Sequence, residues 1–181
     1  MIVDFSHYDV GDEITLRNLL VQDPFGQGRV SKMMRFTVVR DEKDDTAIPE
    51  RLAPDVDLPD PSQSDVTRRF DFNRSGGMWT INGERFDPDR IWANPRLNAT
   101  EIWEFSVSNG HPVHLHLVQF RVLSRNGRDP HAGDAGWKDT IFLGDETRVV
   151  ARFSGFRGKY VFHCHNLEHE DMMMMANFEV I

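Results

Sequence analysis

The feature that most constrains the fold is the regular spacing of turn residues after residue 68. Gly, Asn, Asp and Pro recur there about every 8–15 residues, and the segments between them are rich in β-branched and aromatic residues. Eight such segments follow one another: RRFDFN, MWTING, EIWEFSVSN, HPVHLHLVQFRVLSRN, WKDTIFL, TRVVARFS, GKYVFHCH and ANFEVI. This pattern predicts an all-β domain, either an antiparallel sandwich or a small barrel. A helical turn is expected only at 166–171.

The segments before residue 68 predict a different organisation. Residues 2–40 contain the short strand-like runs IVDFS, EITLRNLL and MRFTVVR, broken by Gly-Asp and by residues 24–28, which is too little to close a sandwich alone. Residues 41–67 contain nine acidic residues, four prolines and no aromatic residue, so a partly extended linker is expected. The predicted division is therefore 1–40, 41–67 and 68–181.

Composition excludes several classes of partner. The chain of 181 residues has 21 basic and 29 acidic side chains, and its net charge of −8 opposes binding to nucleic acid or to anionic membranes. No apolar run approaches the roughly 18 residues of a membrane-spanning helix. The N-terminus MIVDFSHYDV lacks the basic and apolar regions of a signal peptide, so a cytoplasmic location is expected.

Six of the eight histidines and the single cysteine are concentrated in two short motifs. The first is HPVHLH at 111–116 and the second is HCHNLEH at 163–169. Because side chains alternate along a strand, His114 and His116 should share one face, and so should His163 and His165. The same alternation sends Cys164 to the opposite face. Two neighbouring strands would then carry four imidazoles on one side and a thiolate on the other.

The thiolate face has candidate partners in His111, His169 and a nearby methionine. Two histidines, a cysteine and a weak thioether are the ligand set of blue-copper electron-transfer sites. Copper is favoured over zinc because structural zinc sites usually close with four strong ligands, often in Cys pairs. His7 and His131, outside the motifs, are expected to be ordinary surface or hydrogen-bonded residues. Four methionines follow one another at 172–175. Three of them, Met172, Met173 and Met175, are expected to pack in the core.

These motifs resemble a known family. HPVHLHLVQFRVL followed by GKYVFHCHNLEHEDMMMM is similar to the C-terminal cupredoxin domain of the multicopper oxidases, in the branch with bacterial spore-coat laccases, bilirubin oxidases and phenoxazinone synthase. MWTING, FDP, TEIWEF and GWKDT extend the resemblance over about 68–181, and 1–40 resembles the last strands of the family's middle domain. The resemblance implies a cupredoxin-like Greek-key β-sandwich or barrel preceded by a short β fragment and the acidic, Pro-rich linker.

The resemblance also implies roles for individual residues. His111, Cys164 and His169 would bind a type 1 copper, with Met174 as the axial ligand. His114 would bind a type 2 copper, and His116, His163 and His165 would bind the type 3 pair of a trinuclear cluster that reduces dioxygen. Glu170 stands where this branch has a proton donor, a role that a carboxylic acid can fill if burial raises its pKa.

Three functions are compatible with the sequence. The first is the C-terminal part of a laccase-like oxidase that takes electrons from phenols, aminophenols or bilirubin-like donors. Its cluster would be completed by an N-terminal cupredoxin domain or another copy of the chain, because this sequence lacks the two further His-x-His pairs of the family. The second is a stand-alone type 1 copper module without oxidase activity. The third is a cupin-like dioxygenase using His114 and His116, which residues 119–121 disfavour because they contain no glutamate.

Overall fold

The computed structural model describes residues 3–18, 32–50, 57–108 and 110–181. The chain divides into two compact units, residues 1–54 and 55–181. The first unit contains an antiparallel pair formed by β1 (Glu13–Arg17) and β2 (Lys32–Thr37). Of the predicted run IVDFS, the described residues 3–6 form no strand. The end of EITLRNLL and the predicted turn at 24–28 lie outside the described residues.

The second unit is a sandwich of two five-stranded sheets. The first sheet has the strand order β4-β3-β6-β10-β8 and consists of β3 (Ser64–Ser75), β4 (Met78–Ile81), β6 (Thr100–Val107), β8 (Phe120–Arg125) and β10 (Thr147–Arg152). The second sheet has the order β5-β12-β11-β7-β9 and consists of β5 (Ile91–Ala93), β7 (His111–Leu115), β9 (Thr140–Leu143), β11 (Gly158–Cys164) and β12 (Met175–Val180). The helix α1 (Leu167–Asp171) lies within the predicted helical turn at 166–171. The predicted all-β sandwich is confirmed.

Aromatic side chains fill the space between the two sheets. The ring of Phe70 on β3 lies 4.6 Å from that of Phe162 on β11, and Trp103 on β6 lies 5.6 Å from Phe178 on β12. All four are buried, so alternate residues of these strands form the core, as expected for two sheets packed face to face. Among the described residues, no helix is long and apolar enough to span a membrane.

Several details differ from the sequence expectations. The sheets are not wholly antiparallel, because β3 pairs with β6 and β5 pairs with β12 in parallel. The segment HPVHLHLVQFRVLSRN forms two strands, β7 and β8, since Leu117 adopts a left-handed backbone with φ of 72°. Strand β5 was not expected. Strand β3 begins at Ser64, so the sheet includes residues 64–67 of the predicted linker; the division into domains itself stays a prediction.

Candidate metal centres

Strands β7 and β11 are neighbours in the second sheet and carry His111, His114, His163 and Cys164 of the two histidine motifs. Their antiparallel register sets His163 opposite His114, and Cys164 opposite Val113. Residues directly opposite each other in a sheet share a face, so Cys164 and Val113 point to one side and the two histidines to the other. Cys164 and Val113 are fully buried. The alternation expected from the sequence is therefore present.

The buried face holds His111, Cys164 and His169, called the Cys164 cluster below. The Nδ1 atoms of the two histidines are 3.1 Å apart, and Cys164 Sγ lies 3.4 Å from Nδ1 of His111 and 3.5 Å from Nδ1 of His169. His111 begins β7, Cys164 ends β11 and His169 lies in α1. His111 and Cys164 are fully buried, and only 5% of His169 is exposed. Three donor atoms thus converge in a dry environment.

The spacing of these atoms fits one metal ion. Ligands about 2.0–2.3 Å from an ion, at trigonal or tetrahedral angles, are about 3.3–3.7 Å from one another. Both distances to Sγ lie in this range, and the N–N distance of 3.1 Å is slightly shorter. Burial and the nearby His169 lower the pKa of His111 to about 4, and burial raises the pKa of the Cys164 thiol to about 11. Burial also lowers the pKa of His169. Both imidazoles are therefore neutral at pH 7, while the thiol must release its proton when a metal binds. This soft donor set suits copper.

Met174 follows the cluster in a constrained turn. Met173 has a left-handed backbone with φ of 75°, which turns the chain back toward the sheet after α1. The backbone N–H of Met174 donates to the carbonyl of His169 at 2.9 Å, and its carbonyl accepts from the N–H of Cys164 at 3.1 Å. Met174 is fully buried. Its backbone is thus joined directly to two members of the Cys164 cluster.

The opposite face carries His114, His116, His163 and His165, called the histidine face below. Ligand atoms of the first three lie within 4.8 Å of one another, and Nε2 of His116 is 3.1 Å from Nε2 of His163. The ring of His165 is 5.6 Å from the rings of His114 and His163. His116 and His165 are exposed, in contrast to the buried Cys164 cluster. All four predicted imidazoles therefore lie together: His163 is buried, His114 is half-buried, and the other two rings face solvent.

Backbone and hydroxyl oxygens orient two of these rings. Nδ1–H of His114 donates to the carbonyl of Asp139 and to Oγ1 of Thr140, both at 2.9 Å. Nδ1–H of His163 donates to the carbonyl of Cys164 at 3.0 Å. In the neutral form of each ring, this makes Nε2 the nitrogen that could bind a metal. Burial lowers the pKa of His163, which keeps that ring neutral.

Glu170 lies beside the histidine face. Its carboxylate Oε2 is 3.5 Å from Nδ1 of His163, and a third of the side chain is exposed, 33% by area. The charge of Glu170 acts to raise the pKa of His163 but is outweighed by burial. The carboxylate is thus within one water's reach of the histidines, and its role as a proton donor stays a prediction.

The structure adds two residues that the sequence analysis missed. The indole of Trp79 on β4 stacks on His169, with 3.7 Å between ring centroids and 29° between planes. The guanidinium of Arg74 lies 5.3 Å from the centroid of Trp79. The signal that could have found this pair is Ser75-Gly76-Gly77-Met78, a two-residue hairpin turn that sets Arg74 opposite Trp79.

The other histidines and methionines can now be assessed. His7 and His131 are exposed, and neither belongs to the His/Cys groups found among the described residues. Met172 and Met173 are 47% and 40% exposed, so the expectation that they pack in the core is wrong. Their turn lies outside the sheet, beyond α1, where few apolar side chains can cover them. Met175 is half-buried on β12.

The geometry defines a class: a β-sandwich in which one buried cysteine and two histidines form a group that could hold a metal ion. The sequence profile of the multicopper oxidases matches residues 56–181. Bilirubin oxidase of Albifimbria verrucaria is 40% identical over 98% of this chain, and a laccase of Haloferax volcanii is 35% identical over 99%. The crystal structure of a laccase from Pediococcus acidilactici superimposes with a TM-score of 0.82 at 29% identity, over 99% of this chain and 38% of that one.

The chain belongs to the multicopper oxidase family, whose laccases and bilirubin oxidases are copper-dependent oxidoreductases. The cupredoxin-like fold expected from the sequence is confirmed by these structural relatives. The chain spans about a third of the length of the curated relatives, 34% of the bilirubin oxidase and 33% of the laccase. Copper is the metal that this family implies, and the donor set of the Cys164 cluster fits it.

Proposed function

We propose that this chain is the electron-accepting, C-terminal part of a laccase-like multicopper oxidase. The observation that carries the proposal is the Cys164 cluster, in which one thiol and two imidazole nitrogens converge within 3.5 Å of one another in a buried site. His111, Cys164 and His169 would hold a type 1 copper, with Met174 as a weak axial ligand. Bound copper supplies one-electron redox chemistry at this point.

Residues 163–165, at the end of β11, would join the two centres. Cys164 lies between His163 and His165 in the chain, and its carbonyl accepts a hydrogen bond from His163 at 3.0 Å. An electron that enters at the Cys164 cluster therefore has a short covalent route, with a parallel hydrogen bond, to the histidine face. This arrangement supports transfer from a single-electron donor toward a second metal centre on that face.

The histidine face would provide half of a trinuclear copper cluster. His114 is the proposed type 2 ligand, and His116, His163 and His165 are the proposed type 3 ligands. The open position of these rings supports completion by ligands from an N-terminal cupredoxin domain or from another copy of the chain. Glu170, 3.5 Å from His163, would deliver protons as dioxygen is reduced to water. Phenols and similar small aromatic donors are the proposed substrates.

The colour of the copper-loaded protein tests the Cys164 cluster. Thiolate-to-copper bonding gives an intense visible band, so the wild-type chain should turn blue with Cu(II) and Cys164→Ser should not. His131→Ala, which changes an exposed histidine outside both clusters, is the matched control and should keep the colour. A blue Cys164→Ser protein would show that the thiolate assignment is wrong.

Copper stoichiometry separates the oxidase from the second candidate, a type 1 module without oxidase activity. This alternative is favoured by one observation: the Cys164 cluster has its donors within the chain, whereas the histidine face is open. About one copper per chain supports the module, and more than one supports an assembled cluster. The double variant His114→Ala/His116→Ala should lose only the additional copper and keep the blue band.

A further inference from the structure

One ligand of the Cys164 cluster is held in a stack of three groups. The ring of His169 faces the indole of Trp79 at 3.7 Å, and the guanidinium of Arg74 lies 5.3 Å from the centroid of that indole. Trp79 also meets His111 edge-on, with 5.5 Å between ring centroids. A single side chain thus contacts both imidazoles of the cluster. It has no part in the ligand set.

Local structure fixes this stack. Arg74 on β3 and Trp79 on β4 are directly opposite each other across a tight antiparallel turn. Gly76 and Gly77 form that turn with φ values of 57° and 83°, which only glycine adopts without strain. The Nε–H of Arg74 donates to the carbonyl of Gly77 at 3.2 Å. The cation is therefore tied to the same hairpin that presents the indole.

The position of the stack has two consequences for a metal at the cluster. Trp79 is half-buried and covers a face of His169, so it restrains rotation of that ring and keeps water from it. Arg74 is exposed and sets a positive charge behind the indole. Reduction of Cu(II) to Cu(I) removes one positive charge, so both poor solvation and a nearby fixed cation favour the reduced form.

We propose that Trp79 is a positioning residue for His169, and that the Arg74–Trp79 pair raises the reduction potential of copper at the Cys164 cluster. The inference rests on the proposed function of that cluster. It assigns a role in potential tuning to the β3–β4 hairpin, which contributes none of the predicted ligands. Because Arg74 is exposed, salt should screen its part of the effect, whereas the part due to Trp79 should not depend on salt.

The experiment measures the reduction potential and the visible band of the copper-loaded chain. Arg74→Gln should favour Cu(II) by twofold to tenfold at low ionic strength, a downward shift of at most about 59 mV for one electron, and this shift should shrink in 0.5 M salt. Arg74→Lys should restore most of the wild-type value. Trp79→Leu should lower the potential at both salt concentrations and change the position or width of the visible band.

The matched control is the other Arg–Trp pair, Arg90 over Trp92 on β5, with 3.9 Å from guanidinium to ring centroid. Arg90→Gln should leave the potential unchanged. In the metal-free protein, ring-current shifts of the His169 protons should be present in the wild type and lost in Trp79→Leu, while Trp79→Phe retains part of them. These shifts test the stack without copper.

The outcomes separate the two proposals. A wild-type chain that gives no blue copper centre would overturn the proposed function. A blue wild type whose potential and band are unchanged in both Arg74→Gln and Trp79→Leu would leave the copper site standing and overturn this inference. A shift of equal size in Arg90→Gln would also overturn it, because the effect would then reflect net charge alone.

Discussion

Glu101 is a carboxylate on the core-facing side of β6. Replacing it should lower the free energy of unfolding far more than replacing Glu104 on the same strand. Its side chain is only 4% exposed. It accepts hydrogen bonds from Nε and Nη2 of Arg68 at 2.7 and 2.8 Å, and from the indole N–H of the fully buried Trp103 at 2.9 Å. The carboxylate therefore satisfies a cation and a buried donor together.

The expected magnitude follows from solvent exposure. Breaking a buried ion pair costs about 3–5 kcal/mol, but the side chain of Arg68 is 25% exposed and keeps some hydration. Glu101→Gln should therefore lower the free energy of unfolding by about 2–4 kcal/mol. The side chain of Glu104 is itself 15% exposed, but its partners Arg69 and Arg148 are 83% and 40% exposed and keep their hydration when the carboxylate is lost. Glu104→Gln should cost less than about 1 kcal/mol.

The assay is urea unfolding at pH 7, followed by near-ultraviolet circular dichroism, with the slope of the transition checked for each variant. The double variant Arg68→Met/Glu101→Gln should lose less than the sum of its single variants, because no uncompensated cation remains. Equal midpoints for Glu101→Gln and Glu104→Gln would refute the reasoning that burial of both partners, and not the presence of an ion pair, decides the loss in stability.

Three further outcomes follow from the copper assignments. Met174→Leu should keep the metal and raise the reduction potential, as measured by redox titration, and loss of copper in this variant would contradict a weak axial role. Because burial raises the pKa of Cys164 to about 11, copper binding should release the thiol proton. The binding constant should then rise by about tenfold per pH unit between pH 7 and pH 9, and a constant that does not change with pH would exclude a thiolate ligand. With copper and a phenol, a monomeric chain should show little oxygen uptake; rapid turnover by a demonstrated monomer would contradict an open half-site.

The placement of both histidine groups could be predicted from the sequence because a strand has a strict two-residue period. Knowing only that HLH and HCH are in strands is enough to separate Cys164 from His163 and His165. The candidate partners of the thiolate are then the remaining histidines of the two motifs, at or just beyond the ends of the same two strands. His111 and His169 meet that condition, and the structure brings both within 3.5 Å of Cys164 Sγ.

Other features depended on tertiary structure that no local pattern reports. Alternation along EIWEFSV places Glu101 on the same face as Trp103 and Phe105, but it cannot identify Arg68 on another strand as the partner of this buried carboxylate. The break at Leu117 reflects a left-handed backbone that leucine rarely adopts. Stacking of Trp79 on His169 joins residues 90 positions apart, and it requires the edge of the first sheet to meet α1.

The two centres also depend on one and the same strand register. Buried apolar pairs fix the pairing of β11 with β7: Phe162 lies opposite Leu115, and Cys164 lies opposite Val113. A slip of one residue would send every side chain of β11 to the other face, which would expose Cys164 and bury His163 against the core. Because Phe162, which is fully buried, would be exposed by the same slip, the hydrophobic effect opposes it. The packing of the sandwich thus determines which of the two candidate metal centres each of His163, Cys164 and His165 can contribute a ligand to.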